Sequence, residues 1–233
     1  MKRCWGLCMA LWLCAGSAWA ADLSITADEL SYDGNAEVAT ASGNVVIERD
    51  GAKMTGTQGE YHFSDGSATL TGGVEYHKGN TSLTAATVYA YADQSLRADG
   101  DVHIVDGDKE LLGAAVTYRP SDGYGTVEGG GVLRVPGTEM RAAAIEAHMN
   151  EIRLVGTGGV QLVSSQHGLR ATADKAIYTQ TPGQDDGFVS LVGNAHAEQN
   201  GNTLNGPHLD IRVADNAVET KGRSTLVIRS REK

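Results

Sequence analysis

Cysteine, proline and aromatic residues are all scarce in this chain of 233 residues. The three cysteines, Cys4, Cys8 and Cys14, lie within the first 14 positions, so the rest of the chain has no thiol nucleophile, no disulfide and no cysteine metal site. Four prolines beside 30 glycines suit an all-β chain rich in turns, and few large aromatic side chains leave little bulk to fill an interior. Helical periodicity is nearly absent. Long apolar runs are absent too: the one from Cys4 to Ala15 falls short of the roughly 20 residues that span a bilayer. It follows Lys2 and Arg3 and precedes Ala18-Trp19-Ala20, the order of a secretory signal peptide. This predicts a signal over residues 1–20, cleavage after Ala20 and one continuous mature domain over 21–233.

Basic charge is also lacking. Loss of Lys2 and Arg3 takes 19 basic residues to 17 against 29 acidic ones, a formal charge of −12. Such a chain is not expected to take nucleic acid or an anionic membrane surface as a direct partner.

What is present is a repeat of about 29 residues. Its anchor is a small-residue turn before an apolar strand: Gly43-Asn44-Val45, Gly72-Gly73-Val74, Gly100-Asp101-Val102, Gly130-Gly131-Val132, Gly158-Gly159-Val160, Gly193-Asn194-Ala195 and a degraded Gly222-Arg223-Ser224. The steps are 29, 28, 30, 28, 35 and 29, so one insertion, around Thr181 to Gly187, is expected to protrude as a loop. About 13 residues before each turn comes an aromatic or apolar position: Tyr32, Tyr61, Tyr89, Tyr118, Ala147 or His148, Tyr178 and Ile211. Between the anchors the sequence alternates with the period of half-buried strands, as in Ala39-Thr40-Ala41. Asp-Gly and Gly-Asn pairs such as Asp50-Gly51, Gly79-Asn80 and Asp106-Gly107 supply tight turns. Each unit should give two or three short strands, and about seven stacked units should build two facing sheets.

Alternation also assigns faces. Val45, Ile47, Val74, Tyr76, Val102, Ile104, Val132, Val160, Leu162, Leu226 and Ile228 share the inward parity, whereas Glu75, His103 and Gln161 take the other. Small residues at Ala39, Ala41, Ala68, Ala98 and Gly156 should keep that interior from filling, leaving a groove of acyl-chain width.

Catalytic patterns are missing. The seven histidines are scattered over different units without close ligand spacing, and no Gly-x-Ser-x-Gly elbow occurs. Asp185, Asp186, Asp99 and Asp101 raise calcium, but the repeats lack the nonapeptide pattern of calcium-bound β-rolls. No enzyme activity, cofactor or metal is expected.

The segments Thr26-Ala27-Asp28-Glu29-Leu30-Ser31-Tyr32, Ser42-Gly43-Asn44-Val45-Val46-Ile47 and Ala171-Thr172-Ala173-Asp174-Lys175-Ala176-Ile177-Tyr178 resemble the OstA-type repeat of the lipopolysaccharide-transport family, the LptA-like periplasmic proteins. The resemblance covers essentially the whole mature chain. It implies a twisted antiparallel β-jellyroll open along one side, placed in the periplasm, whose groove shields the acyl chains of lipid A between the inner and outer membranes. It also implies lipopolysaccharide, an LptC-like inner-membrane component and an LptD-like outer-membrane component as partners. The competing expectation is an envelope β-solenoid for scaffolding or adhesion, with a filled core and no lipid groove.

The termini carry opposite charge. Ala21 to Glu37 holds five acidic residues and no basic one, whereas Lys221 to Lys233 holds five basic residues against Glu232. Sheet edges template further pairing, so Leu23, Ile25 and Leu30 at one end and Leu226 and Ile228 at the other are the expected partner-binding edges, with head-to-tail self-association as one outcome.

Overall fold

In the computed structural model the described residues are 24–49, 51–184, 186–212 and 217–229. The expected signal segment and Leu23 lie outside them. The chain divides into two compact units, one ending at Ser121 and the other running on from Asp122.

The N-terminal unit contains β1 (Ser24–Thr26), β2 (Glu29–Asp33), β3 (Val38–Arg49), β4 (Ala52–His62), β5 (Ala68–Lys78), β6 (Thr81–Ala90), β7 (Leu96–Asp106) and β8 (Lys109–Arg119). From β2 to β8 each strand pairs antiparallel with the next, and β1 pairs with the second half of β3. The C-terminal unit contains β9 (Tyr124–Glu128), β10 (Gly131–Val135), β11 (Thr138–Ala142), β12 (Ala144–His148), β13 (Arg153–Ser164), β14 (Leu169–Thr179), β15 (Phe188–Gln199), β16 (Asn202–Arg212), β17 (Ala217–Lys221) and β18 (Thr225–Val227). Its pairings are antiparallel throughout. Among the described residues a single 3₁₀ turn, Met149–Glu151, interrupts them. The all-β, antiparallel class expected from the sequence is the fold observed.

The repeat is a hairpin of two long strands rather than two or three short ones. Five of the seven small-residue pairs are β-bulges in mid-strand, whereas those of the fourth and last units fall at breaks between strands. In β3, Ser42 pairs with Gln58 and Val45 with Gly56, so Gly43 and Asn44 together oppose Thr57. The same slip recurs at Gly72-Gly73, Gly100-Asp101, Gly158-Gly159 and Gly193-Asn194. Both residues of each pair have positive φ, Gly43 at 73° and Asn44 at 47° in the first. One extra residue bends the strand and raises its twist. It also preserves the inward parity, so Ala41 before the bulge and Val45 after it are both buried. The bulge therefore bends one long strand at its middle, and within each unit the strands form one continuous sheet rather than the two separate facing sheets expected.

The turns at the other hairpin ends are closed by aspartates. Asp33 accepts from the Asn35 and Ala36 amides, Asp65 from Ser67, Asp93 from Ser95 and Asp122 from Tyr124. The hydrogen bonds to the charged carboxylate hold Asp33, Asp65 and Asp93 below the ordinary aspartate range.

Of the 181–187 insertion, residues 181–184 and 186–187 are described, and they form no strand. Thr181 donates through N and Oγ1 to Asp186, at 2.9 and 2.6 Å, and Gly187 lies buried against the Tyr178 ring.

Candidate functional site: the apolar interior

Four valines that immediately follow a bulge, Val45, Val74, Val102 and Val160, are each 1% exposed. Tyr76 and Ile104, two positions on, are also buried, and burial pushes the Tyr76 phenol up. Ile47 and Leu162 are half-buried at the same parity.

Three sequence-predicted positions behave differently. Val132 is not inward: Gly131 and Leu133 are the buried residues of β10, and Val132 is half-buried on the other face. The reason is a one-residue slip of frame in a run of three glycines. Gly129 and Gly130 take the positive φ values, 73° and 93°, so Gly131 occupies the place that Val45 holds in the first unit. Leu226 and Ile228 are 59% and 71% exposed, so neither lines a closed interior. Leu226 pairs with Leu204 in the last strand, where no further described strand covers it. Of the predicted edge residues at the other end, Leu30 is 59% exposed and Ile25 half-buried.

The N-terminal unit holds an apolar cavity of about 100 Å³ that is partly open to solvent. Val45 and Ile47 line it from β3, Met54 and Tyr61 from β4, Leu70 from β5 and Val88 from β6, with Ile25 and Leu30 at its edge. Ala39, Ala41, Gly59 and Ala68 keep it open: their small side chains face inward where larger ones would fill it. Met54 and Val88 lie on β4 and β6, which carry no G-x-V marker, and Leu70 precedes the marker of β5. The signal for them was the cross-strand register, since Met54 pairs with Ile47 and Leu70 with Val88. Arg49 also lines the cavity, a charge the alternation of β3 could have revealed.

Polar residues are not confined to the outside, since Glu60 lines the cavity as Arg49 does. His62 contacts Glu60 at 2.6 Å, and His103 contacts Glu110 at 2.7 Å. The nearest approach to a relay is Ser190, His208 and Asp210. His208 Nε2 is 2.7 Å from Asp210 Oδ1 and 3.4 Å from Ser190 Oγ, and Ser190 Oγ itself donates to Asp210. One ring nitrogen faces both neighbours, so the imidazole cannot be held by the carboxylate and take the serine proton through its other nitrogen. Asp210 is instead a structural node. Burial works to raise its carboxyl, but hydrogen bonds from Lys221, Ser190 and His208 outweigh it and bring the value down to about 2. Among the described residues no group of three or more metal-ligating side chains occurs, and no helix is long and apolar enough to cross a membrane.

A stack of bulged antiparallel hairpins around an apolar cavity is the architecture of an open β-jellyroll. Residues 53–217, more than half of the chain, match the family described as LptA/(LptD N-terminal domain) LPS transport protein, and the chain belongs to that family. Among solved structures it is similar to LptH of Pseudomonas aeruginosa, the LptA homologous periplasmic component of the conserved lipopolysaccharide transport device. The identity is 18%, over 42% of this chain and 75% of that one, with a TM-score of 0.38. No curated protein matches it.

Proposed function

We propose that this protein is a periplasmic lipopolysaccharide carrier that shields lipid A acyl chains in its apolar interior on the way from the inner to the outer membrane. The observation that carries this reading is the unfilled cavity walled by Val45, Ile47, Met54 and Leu70. A scaffold or adhesion module would fill that space, because an empty apolar cavity forfeits packing. Membership of a lipopolysaccharide-transport family supports the same substrate.

In this reading the exposed Leu30 and Tyr32 at one end, and Leu226, Val227 and Ile228 at the other, are docking edges. They receive an LptC-like component, an LptD-like component or a second copy head to tail. The acidic stretch 21–37 and the basic stretch 221–233 make these edges complementary.

The test is photo-crosslinking with the full mature chain. A probe at Ile47 or Ile104 captures lipopolysaccharide, and one at the opposite-parity Glu75 or His103 does not. Equal capture at both parities overturns the interior as the lipid site.

A further inference from the structure

The last two strands form one ribbon along the edge of the C-terminal unit. β17 pairs Ala217–Lys221 with residues 208–212 of β16, and β18 pairs Thr225–Val227 with residues 203–205. Only Gly222, Arg223 and Ser224 separate the two. This step passes close over β16, since a Cβ on Gly222 would lie 2.7 Å from Pro207 Cγ. The seat of Lys221 therefore fixes where Thr225 begins. The ribbon has little apolar anchorage: Glu219 to Lys221 and all of β18 are exposed, although Leu209 and Ile211 of the strand beneath are 0% and 3% exposed.

A buried carboxylate supplies the anchorage instead. Asp210 stands between Leu209 and Ile211 at the opposite parity, yet it is only 7% exposed. Its two oxygens have different partners. Oδ1 accepts from Ser190 Oγ of β15 and lies 2.7 Å from His208 Nε2, whereas Oδ2 has Lys221 Nζ at 2.8 Å. The body of the sheet thus satisfies one oxygen, and the ribbon satisfies the other. The residue in register with Asp210 on β17 is Glu219, a like charge, and like charges directly opposite destabilise a strand pair. Arg212 approaches that glutamate only to 3.9 Å. Without Lys221, this rung would set two carboxylates across from each other and leave the buried one short of a partner.

We propose that Asp210 and Lys221 form a latch that positions the C-terminal docking edge for a second copy of this chain. Closed, it seats β17 and, through the three-residue step, holds β18 on β16, so that Leu226 and Val227 are presented on a regular strand edge. Open, the ribbon leaves β16 and the template is lost, while β9 to β16 stay paired. Asp210 and Lys221 are positioning residues that act without touching the partner. The occupant follows from charge: the acidic stretch 21–37 of one copy suits the basic stretch 221–233 of the next. The inference rests on the docking-edge reading and names the contact that controls that edge.

The experiment compares the full mature chain with Lys221→Ala, Asp210→Asn, the double variant, Lys221→Arg and Lys175→Ala. Lys175 is a control on the same row, reached from Lys221 through His208 and Val192 and outside the ribbon. Hydrogen exchange reads the ribbon amides, sedimentation reads self-association, and circular dichroism checks the fold. Lys221→Ala and Asp210→Asn are expected to speed exchange over 217–227 by at least about tenfold, the scale of one lost charge-assisted hydrogen bond, with β13 to β15 still protected. Self-association should weaken by a similar factor. The double variant should lose no more than the larger single loss, because both changes remove the same contact. Lys221→Arg and Lys175→Ala should match wild type. If Asp210→Asn does not fold, Lys221→Ala against Lys221→Arg decides alone. Unchanged ribbon exchange in Lys221→Ala, additive losses in the double variant, or an equal loss in Lys175→Ala overturns the latch. Deletion of 225–233 separates the two claims. If it leaves association intact, or if wild type stays monomeric, the edge reading for a second copy fails and the latch has nothing to position. If the deletion abolishes association and Lys221→Ala does not weaken it, only the latch fails.

Discussion

Asp28 Oδ2 accepts a hydrogen bond from Asn44 Nδ2 at 2.9 Å, and 146 residues further on Asp174 Oδ2 does the same from Asn194 at 2.9 Å. In both places the aspartate lies across from the Gly-Asn bulge and covers its glycine, where a Cβ on Gly43 or Gly193 would collide with the carboxylate. The Ala-Asp and Gly-Asn segments that mark the repeat in sequence are thus two halves of one clasp at the strand corner. Units without it fill the same place with Thr57 against Gly72, Ala86 against Gly100 and Ala143 against Gly158.

Breaking the clasp should cost stability without changing the fold. Asp28→Ala and Asp174→Ala are each expected to destabilise by about 1 kcal/mol, the net worth of an ordinary hydrogen bond. Gly43→Ala is expected to cost more, about 1–3 kcal/mol, because it adds a clash to a positive-φ strain. Urea denaturation checks both, and an unchanged midpoint for Gly43→Ala removes the corner from the account.

The slipped frame of the fourth unit separates two neighbours. Leu133→Ala should destabilise by about 2–5 kcal/mol as a buried leucine. Val132→Ala, on the half-buried face, should cost clearly less. The reverse order in thermal denaturation restores Val132 to the interior.

Asp210 predicts a pH dependence. Its carboxyl is depressed from 3.8 to about 2 in the folded protein, so its contribution is fully present above the unfolded value and is lost as pH falls from there towards 2. The shift corresponds to about 2 kcal/mol. The turn aspartates and Glu139 are depressed too and slope the same way. The informative quantity is therefore the difference between wild type and Asp210→Asn, which should shrink between about pH 5 and pH 2. A difference that stays flat over that window shows that Asp210 does not act through its charge.

The docking edges predict salt-sensitive, concentration-dependent association. Deletion of 225–233 should abolish the contact made by the C-terminal edge while the remaining strands stay folded. Sedimentation and partner pull-down unaffected by the deletion would place the contact elsewhere.

Because the cysteines all lie within residues 1–14, a reductant should leave the melting temperature of the mature chain unchanged. A shift in melting temperature on reduction would show that the signal segment is retained.

The all-β class, the recurring small-residue pairs and the inward parity of Val45, Val74, Val102 and Val160 were legible in the sequence, because alternation is a property of one strand and needs no partner, whereas the length of the strands was not. The frame at Gly129-Gly130-Gly131 was not: three identical residues leave open which two take positive φ, and only pairing with the neighbouring strand settles it. Nor did parity show that Leu226 and Ile228 would stay exposed, since burial requires another element to cover the face, and cover is decided by topology. Tertiary structure likewise joined Asp28 to Asn44 across 16 positions and brought Arg49 and Tyr61 to one cavity. Hairpin register puts residues distant in sequence a few ångströms apart, and a single strand's pattern carries no record of its neighbour's.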